Sequence, residues 1–312
     1  MVDKGEFNAV VVSNRRLHQP FYRLKLEFHN AGAKAFANFR PGQFAQLDLS
    51  NIALPSQENI PQELADVAGR NIILRRPFSF AKITADGDRT FAELLYCIVG
   101  PATLRMTTLS AGDLVSVIGP LGHGYDIPEG KETVLLVGGG MGTAPLQHLA
   151  QVLTAENDSV GVIAFAGAKT ADGLPFERRL DEVAQQVGFV LPEFAQYGIE
   201  SLVATDDGSA GFHGLVTDCL LQWLEKNLAN PDEMIICGCG PEAMLAGLAR
   251  LSAEKNIDCQ VSLERRMACG IGLCQSCAVE CKVEGSSETI YRMCCEDGPV
   301  FDSKKVVFSK NE

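Results

Sequence analysis

The sequence predicts a β plus α/β protein in three parts. An N-terminal antiparallel β-barrel spans 1–127, a doubly wound parallel α/β domain spans 128–256, and a small cysteine-rich module spans 257–312. Three observations carry the prediction. Short β-rich runs bounded by turn residues fill the first part. Strands alternating with helical segments, the mark of parallel βαβ units, fill the second. Beyond about Ile257 the periodic pattern gives out, and six of the eleven cysteines crowd into 27 residues.

In the first part the strand-sized runs are "NAVVVSNRRL", "FYRLKLEF", "GQFAQLDL", "FSFAKIT", "ELLYCIVG" and "DLVSVIGPLG", most of them closed by Gly, Pro, Asn or Asp. Six short strands at this spacing suit a small closed sheet. Between them the polar stretch 56–71, "SQENIPQELADVAGRN", reads as an inserted surface loop with room for a short helix. In the second part "ETVLLVGGG", "VGVIAFAGA" and "EMIICGCG" are buried strands. Helical spacing marks "TAPLQHLAQVLTAE", "FERRLDEVAQQV", "LVTDCLLQWLEKNL" and "PEAMLAGLARLSAEKN". A chain of 312 residues is too long for one ordinary core, which agrees with the division.

The net charge of −12 argues against nucleic acid, whose binding depends on Lys and Arg neutralising phosphates. The N-terminal "MVDKGEFNAVVVS" lacks the basic and apolar regions of a signal peptide, and no apolar run reaches the roughly 20 residues of a membrane span. A soluble, cytoplasmic protein is expected. The odd number of clustered cysteines in a large chain reads as metal ligands rather than a disulfide framework.

Two glycine turns point to a dinucleotide. In "VLLVGGGMGTAPL", Gly138, Gly139, Gly140 and Gly142 sit where a buried strand hands over to a helix beginning near Thr143. Glycine there permits positive φ and close approach of a phosphate, and the helix start presents free N–H groups to it. The spacing is not the strict G-x-G-x-x-G. In "IICGCGPEAML" a second strand ends at Cys239 and Gly240, with Pro241 suited to the first helical turn. Ligands of doubly wound sheets bind at the carboxyl ends of the strands, so both turns can line one crevice. Only Lys169 in "AGAKTADG" could meet a 2′-phosphate, which favours NADH over NADPH. Cys237 and Cys239 have no third or fourth ligand nearby, so no metal is expected there.

In the last part Cys269, Cys274 and Cys277 stand in C-x4-C-x2-C spacing, with either Cys294 or Cys295 available as a fourth thiolate. This is the plant-type [2Fe–2S] pattern. A four-thiolate zinc site is the alternative, although zinc frameworks pair two C-x2-C knuckles and only Cys274 and Cys277 have that spacing. Gly270 and Gly272 let backbone N–H groups turn toward the sulfurs. Cys281 reads as a packed thiol. The five histidines, His18, His29, His123, His148 and His213, are scattered and read as structural or surface residues. No catalytic acid or base is singled out.

The hexapeptide "RRPFSF" places Arg76, Pro77, Phe78 and Ser79 in a row able to pair with a pyrophosphate, cover an aromatic ring system and hydrogen-bond a flavin. With a barrel before it and a dinucleotide fold after it, the chain resembles the ferredoxin–NADP reductase superfamily. Within that superfamily it resembles the electron-transfer subunits of two-subunit, NAD-dependent dihydroorotate dehydrogenases, over essentially its whole length. The resemblance implies FAD on Arg76, Pro77, Phe78 and Ser79. Through "LLYCIVGPAT" it also implies FAD on Leu95, Tyr96, Cys97, Ala102 and Thr103. Gly100-Pro101-Ala102-Thr103 stands here where the family has Gly-Lys-Gly-Thr.

The resemblance further implies NAD(H) on the two glycine turns and a cluster on "ERRMACGIGLCQSC" and "CCEDGPVF". In the family one residue separates the fourth ligand from Asp-Gly-Pro, which selects Cys295. It also implies a catalytic flavoprotein partner that carries the dihydroorotate site, assembled with this chain as a heterotetramer. Electrons from NADH would pass through FAD, which handles pairs and single electrons, to the one-electron cluster. Two rivals stand beside this reading: the electron-transfer subunit of a ferredoxin reductase or sulfide dehydrogenase, and a non-enzymatic module with structural zinc.

Overall fold

The computed structural model describes residues 4–156, 160–176, 191–227 and 230–308. The first part is a seven-stranded antiparallel sheet of β1 (Gly5–His18), β2 (Phe21–His29), β3 (Phe44–Leu47), β4 (Arg76–Ser79), β5 (Lys82–Asp86), β6 (Arg89–Cys97) and β7 (Leu114–Leu121). Two helices accompany it, α1 (Asn30–Ala37) and α2 (Pro101–Met106). The strands lie in the order β4-β3-β7-β1-β2-β6-β5. The two ends of that order, β4 and β5, are joined in the chain by only Phe80 and Ala81. The sheet therefore curls until its ends meet, closing the expected barrel covalently rather than by a ladder.

Alternation along the strands sends Leu24, Leu26, Phe28, Leu47, Leu94, Val115 and Val117 inward, where they are essentially inaccessible to solvent. Tyr96 joins them, with its hydroxyl donating to Asn14. The helix α1 plugs one end, with Phe36 stacked on Phe28 at 3.9 Å between ring centroids.

Two features differ from the sequence expectation. The run "FSFAKIT" is two strands, because Phe80 and Ala81 cross the seam between the sheet ends and are themselves buried. "NAGAKAFA" forms α1, driven by four alanines of high helix propensity and by burial of Ala33, Ala35 and Phe36. The inserted stretch holds only single 3₁₀ turns, Gln57–Asn59 and Gln62–Leu64, anchored by Leu64 and Ala68 against Leu104.

The second part is a sheet of β8 (Thr133–Gly139), β9 (Gly161–Ala168), β10 (Glu200–Thr205), β11 (Phe212–His213), β12 (Met234–Cys239), β13 (Asp258–Ser262) and, beyond an excursion, β16 (Val300–Asp302). Its order is β11-β10-β9-β8-β12-β13-β16, parallel except for β16. The helices α3 (Thr143–Glu156) and α4 (Pro192–Ala195) pack on one face, while α5 (Val216–Lys226) and α6 (Glu242–Lys255) pack on the other. This is the doubly wound arrangement. The helix expected over "FERRLDEVAQQV" lies outside the described residues after Phe176.

The strands β13 and β16, within the segment that sequence pattern sets apart as the C-terminal module, complete this sheet. The cysteine-rich excursion leaves and re-enters at its edge, clasped by the Leu263 N–H donating to the Pro299 carbonyl at 2.9 Å. It contains the hairpin β14 (Ala278–Lys282) and β15 (Thr289–Met293). No helix among the described residues is long and apolar enough to cross a membrane.

Candidate electron-transfer site

Strand order reverses between β8 and β12, and both glycine turns lie at the carboxyl ends of these two strands. The crevice that a doubly wound sheet offers a ligand is therefore walled by both turns. Gly142 makes their close approach possible, since a Cβ there would collide with the Cys239 carbonyl and the Gly240 nitrogen. Gly140, at φ +51°, has nothing within 4 Å of its would-be Cβ and faces open space. Gly138 makes room for Thr143, whose hydroxyl donates to the Gly140 carbonyl at 2.9 Å. Thr143 is buried, and neither it nor Gly138 borders the crevice. They shape the turn from behind.

Across the crevice stands the barrel. A single cleft of about 760 Å³ is lined by Arg76, Pro77, Phe78 and Ser79 of β4 and by Leu95, Tyr96 and Cys97 of β6. The turn into α2 contributes Ala102 and Thr103, and the dinucleotide side contributes Gly139, Gly140, Gly142, Cys239, Gly240 and Pro241. Residues more than 160 positions apart in sequence thus share one surface. The Arg76 guanidinium is tethered to the Leu74 carbonyl at 2.6 Å, which fixes where it meets the cleft. The Thr103 hydroxyl accepts from the Val99 and Gly100 N–H groups at 3.0 and 3.3 Å, ordering the turn before α2. Ala102 is buried with the barrel core and also borders the cleft. Sequence reasoning did not single out Phe44, Glu264, Arg265 or Met267, which also line the cleft. Arg265 forms a two-pronged ion pair with Glu242 at 2.8 and 3.2 Å.

The thiols gather beside this cleft. The hairpin register pairs Ala278 with Met293, so Cys277 and Cys294–Cys295 emerge together at its open end. The loop 269–274 folds back on itself: the Cys269 N–H donates to Cys274 Sγ at 3.5 Å, and the Cys274 N–H donates to Cys269 Sγ at 3.4 Å. The Gly272 N–H donates to Cys295 Sγ at 3.2 Å, and the Cys295 N–H donates to Cys277 Sγ at 3.4 Å. Four thiols are thus linked as two pairs, Cys269 with Cys274 and Cys277 with Cys295.

Cys294 points elsewhere. It is fully buried, and its thiol donates to the Leu263 carbonyl at 3.3 Å. Cys281 is packed on β14. The Ser276 hydroxyl, with backbone N–H groups, draws the Cys274 thiol down to about 6, whereas burial and the neighbouring thiols push Cys295 up to about 12. Thiols this close cannot all ionise without a shared positive charge, which suits a metal centre. No three His, Cys, Asp or Glu side chains among the described residues converge on one ion-sized point. A dinuclear cluster, whose ligands divide into two pairs, does not require that they do.

Of the histidines, His148 is buried between the two large domains against Phe39, and burial lowers its pKa to about 4. His18 and His123 bond backbone carbonyls of Leu174 and Glu296, respectively. None of the five borders the cleft.

A barrel and a doubly wound sheet facing each other across one cleft define the ferredoxin reductase type of oxidoreductase. Solved structures agree. That of an NADH-dependent reduced ferredoxin–NADP oxidoreductase, studied for flavin-based electron bifurcation, matches with TM-score 0.70 and 26% identity over 96% of this chain and 90% of that one. A cytochrome P450 reductase from Amycolatopsis matches with TM-score 0.56 and 25% identity over 82% of this chain and 68% of that one.

The profile of an oxidoreductase NAD-binding domain matches residues 136–250, and that of the iron–sulfur cluster binding domain of dihydroorotate dehydrogenase B matches residues 264–307. The electron transfer subunit of dihydroorotate dehydrogenase B (NAD(+)) from Caldanaerobacter subterraneus subsp. tengcongensis is 34% identical over 98% of this chain and 100% of its own length. That from Bacillus cereus is 33% identical over 96% and 98%. The chain belongs to the family of dihydroorotate dehydrogenase B electron transfer subunits.

Proposed function

We propose that this chain carries electrons between NAD(H) and a partner flavoprotein subunit in the conversion of dihydroorotate to orotate, within pyrimidine biosynthesis. The observation that carries the reading is the shared cleft: barrel motif, both glycine turns and the start of the thiol segment border one space. FAD and a [2Fe–2S] cluster, when bound, supply the conversion between a two-electron hydride and single electrons. The chain's residues bind and orient.

Arg76 neutralises pyrophosphate charge, while Pro77, Phe78, Ser79, Leu95, Tyr96, Cys97, Ala102 and Thr103 hold the flavin against the barrel. Gly138, Gly139, Gly140, Gly142 and Thr143, with Cys239, Gly240 and Pro241, build the turns that admit NAD(H), with NADH preferred. Cys269, Cys274, Cys277 and Cys295 hold the cluster as two pairs. No side chain in the cleft is required as an acid or base.

The substrate site belongs to the partner, and the working unit is a hetero-oligomer, drawn as a heterotetramer. Cysteines read as metal ligands rather than disulfides, together with the use of NADH, support a cytoplasmic location. A second reading, NADH-linked exchange with ferredoxin, is favoured by the likeness to the NADH-dependent oxidoreductase. Co-expression separates the two. Co-purification with the flavoprotein subunit and orotate-linked NADH turnover support the first, and a chain that binds no such partner and turns over only with ferredoxin overturns it.

A further inference from the structure

Gln46 lies on β3, opposite Pro77 of the flavin-side strand β4 and Ile118 of β7. It is fully buried, and neither Nε2 nor Oε1 has a hydrogen-bond partner within the chain. Strand alternation separates it from Ala45 and Leu47, which fill the barrel core, and puts it on the outer face with Phe44. That face is roofed by the thiol loop. A Cβ on Gly270 would run into the Gln46 amide, with Nε2 the nearest atom. Gly270 also has φ +70°, so glycine there serves both the turn and the space taken by the amide. The adjoining Cys269 sulfur already receives the N–H groups of Ile271 and Cys274. An amide donor thus reaches a sulfur-rich loop from the barrel with nothing of the chain's own to bond. Buried amides are ordinarily hydrogen-bonded, and one left bare invites a ligand.

We infer that Gln46 is a positioning residue for the iron–sulfur centre, its Nε2 donating a hydrogen bond to a sulfur of the cluster held by Cys269, Cys274, Cys277 and Cys295. The inference rests on the cluster reading given above. Reduction adds negative charge that spreads onto the sulfurs, so a donor there stabilises the reduced state more than the oxidised one and raises the potential. Because Gln46 is in register with Pro77, the same residue fastens the cluster loop to the strand beside the flavin.

The test uses the full chain with its cofactors and an EPR-monitored redox titration of wild type, Gln46→Leu and Gln46→Met. Both variants keep volume and remove the donor. The expected result is a lower cluster midpoint with unchanged flavin midpoint and NADH affinity. Electron–nuclear double resonance on the reduced wild-type cluster should show a nitrogen coupling when glutamine is isotopically labelled at its side-chain amide. An unmoved midpoint in a variant with full iron content, or no such coupling in wild type, overturns the inference, even if neither variant loads iron. A wild-type chain with no reduced-cluster signal at all would instead overturn the cluster reading beneath it.

Discussion

Cys294 and Cys295 are neighbours, and their replacement by alanine should have opposite consequences. Cys294 is fully buried, with its thiol on the Leu263 carbonyl 3.3 Å away. Its removal deletes one buried sulfur and one weak hydrogen bond, about 1–2 kcal/mol of transfer and cavity terms together. The melting temperature falls by a few degrees, and the cluster stays. Cys295 receives the Gly272 N–H at 3.2 Å and reaches Cys277 through its own N–H. Cys295→Ala removes one of the four proposed ligands, and because metal binding is also folding energy for a small module, the expected loss exceeds one contact. The assay is iron and sulfide content with the visible spectrum of each variant purified anaerobically. Cys295→Ala should lose the cluster absorbance and Cys294→Ala should keep it. The reverse pattern, or loss of iron in both, refutes the assignment of the two pairs.

Other consequences follow from the same packing. Gly142→Ala should weaken NADH binding at least tenfold, because its methyl drives the two turns apart at a cost of about 1–3 kcal/mol, as titration calorimetry would report. Gly140→Ala should cost only about 1–2 kcal/mol of backbone strain in chemical denaturation, since its methyl meets open space. The buried His148, held at about 4, must take up a proton on unfolding. Its folded pKa lies below the unfolded 6.5, so stability is full above pH 6.5 and falls between pH 6.5 and 4 by about 3 kcal/mol. His148→Leu should flatten that part of the pH–stability curve. Arg23 pairs within the barrel with Glu93 at 3.2 Å and reaches across to the α/β domain at Glu193, 3.7 Å away. Arg23→Leu removes the cation that faces Glu193 across the domain junction and should cost about 1–3 kcal/mol in urea unfolding.

How far the chain could be read from sequence depended on whether local pattern or tertiary cover decided each feature. The strands of the barrel and the βαβ rhythm were legible because alternation and glycine turns are local. The split of "FSFAKIT" was not, because Phe80 and Ala81 turn at a seam that only barrel closure creates. The membership of β13 in the large sheet was hidden because the short run "DCQVS" gains its place from β12 and β16, both distant in sequence. Spacing left Cys294 and Cys295 equivalent, and the hairpin register separates them by turning one thiol toward Leu263. Nothing in "GQFAQLDL" marks Gln46, since the cover over its amide comes from Gly270, more than 200 residues away in the chain.

The central claim is that one cleft joins a nicotinamide site, a flavin and a two-iron centre. Anaerobic titration of the purified chain with NADH, followed by visible and EPR spectroscopy alongside iron and sulfide analysis, tests it most directly. The account predicts a yellow-brown protein with iron and sulfide in equal amounts, whose flavin band bleaches with NADH and whose cluster then gives a reduced [2Fe–2S] EPR signal. A colourless protein containing zinc, or a cluster that NADH leaves oxidised while the flavin is reduced, would contradict it.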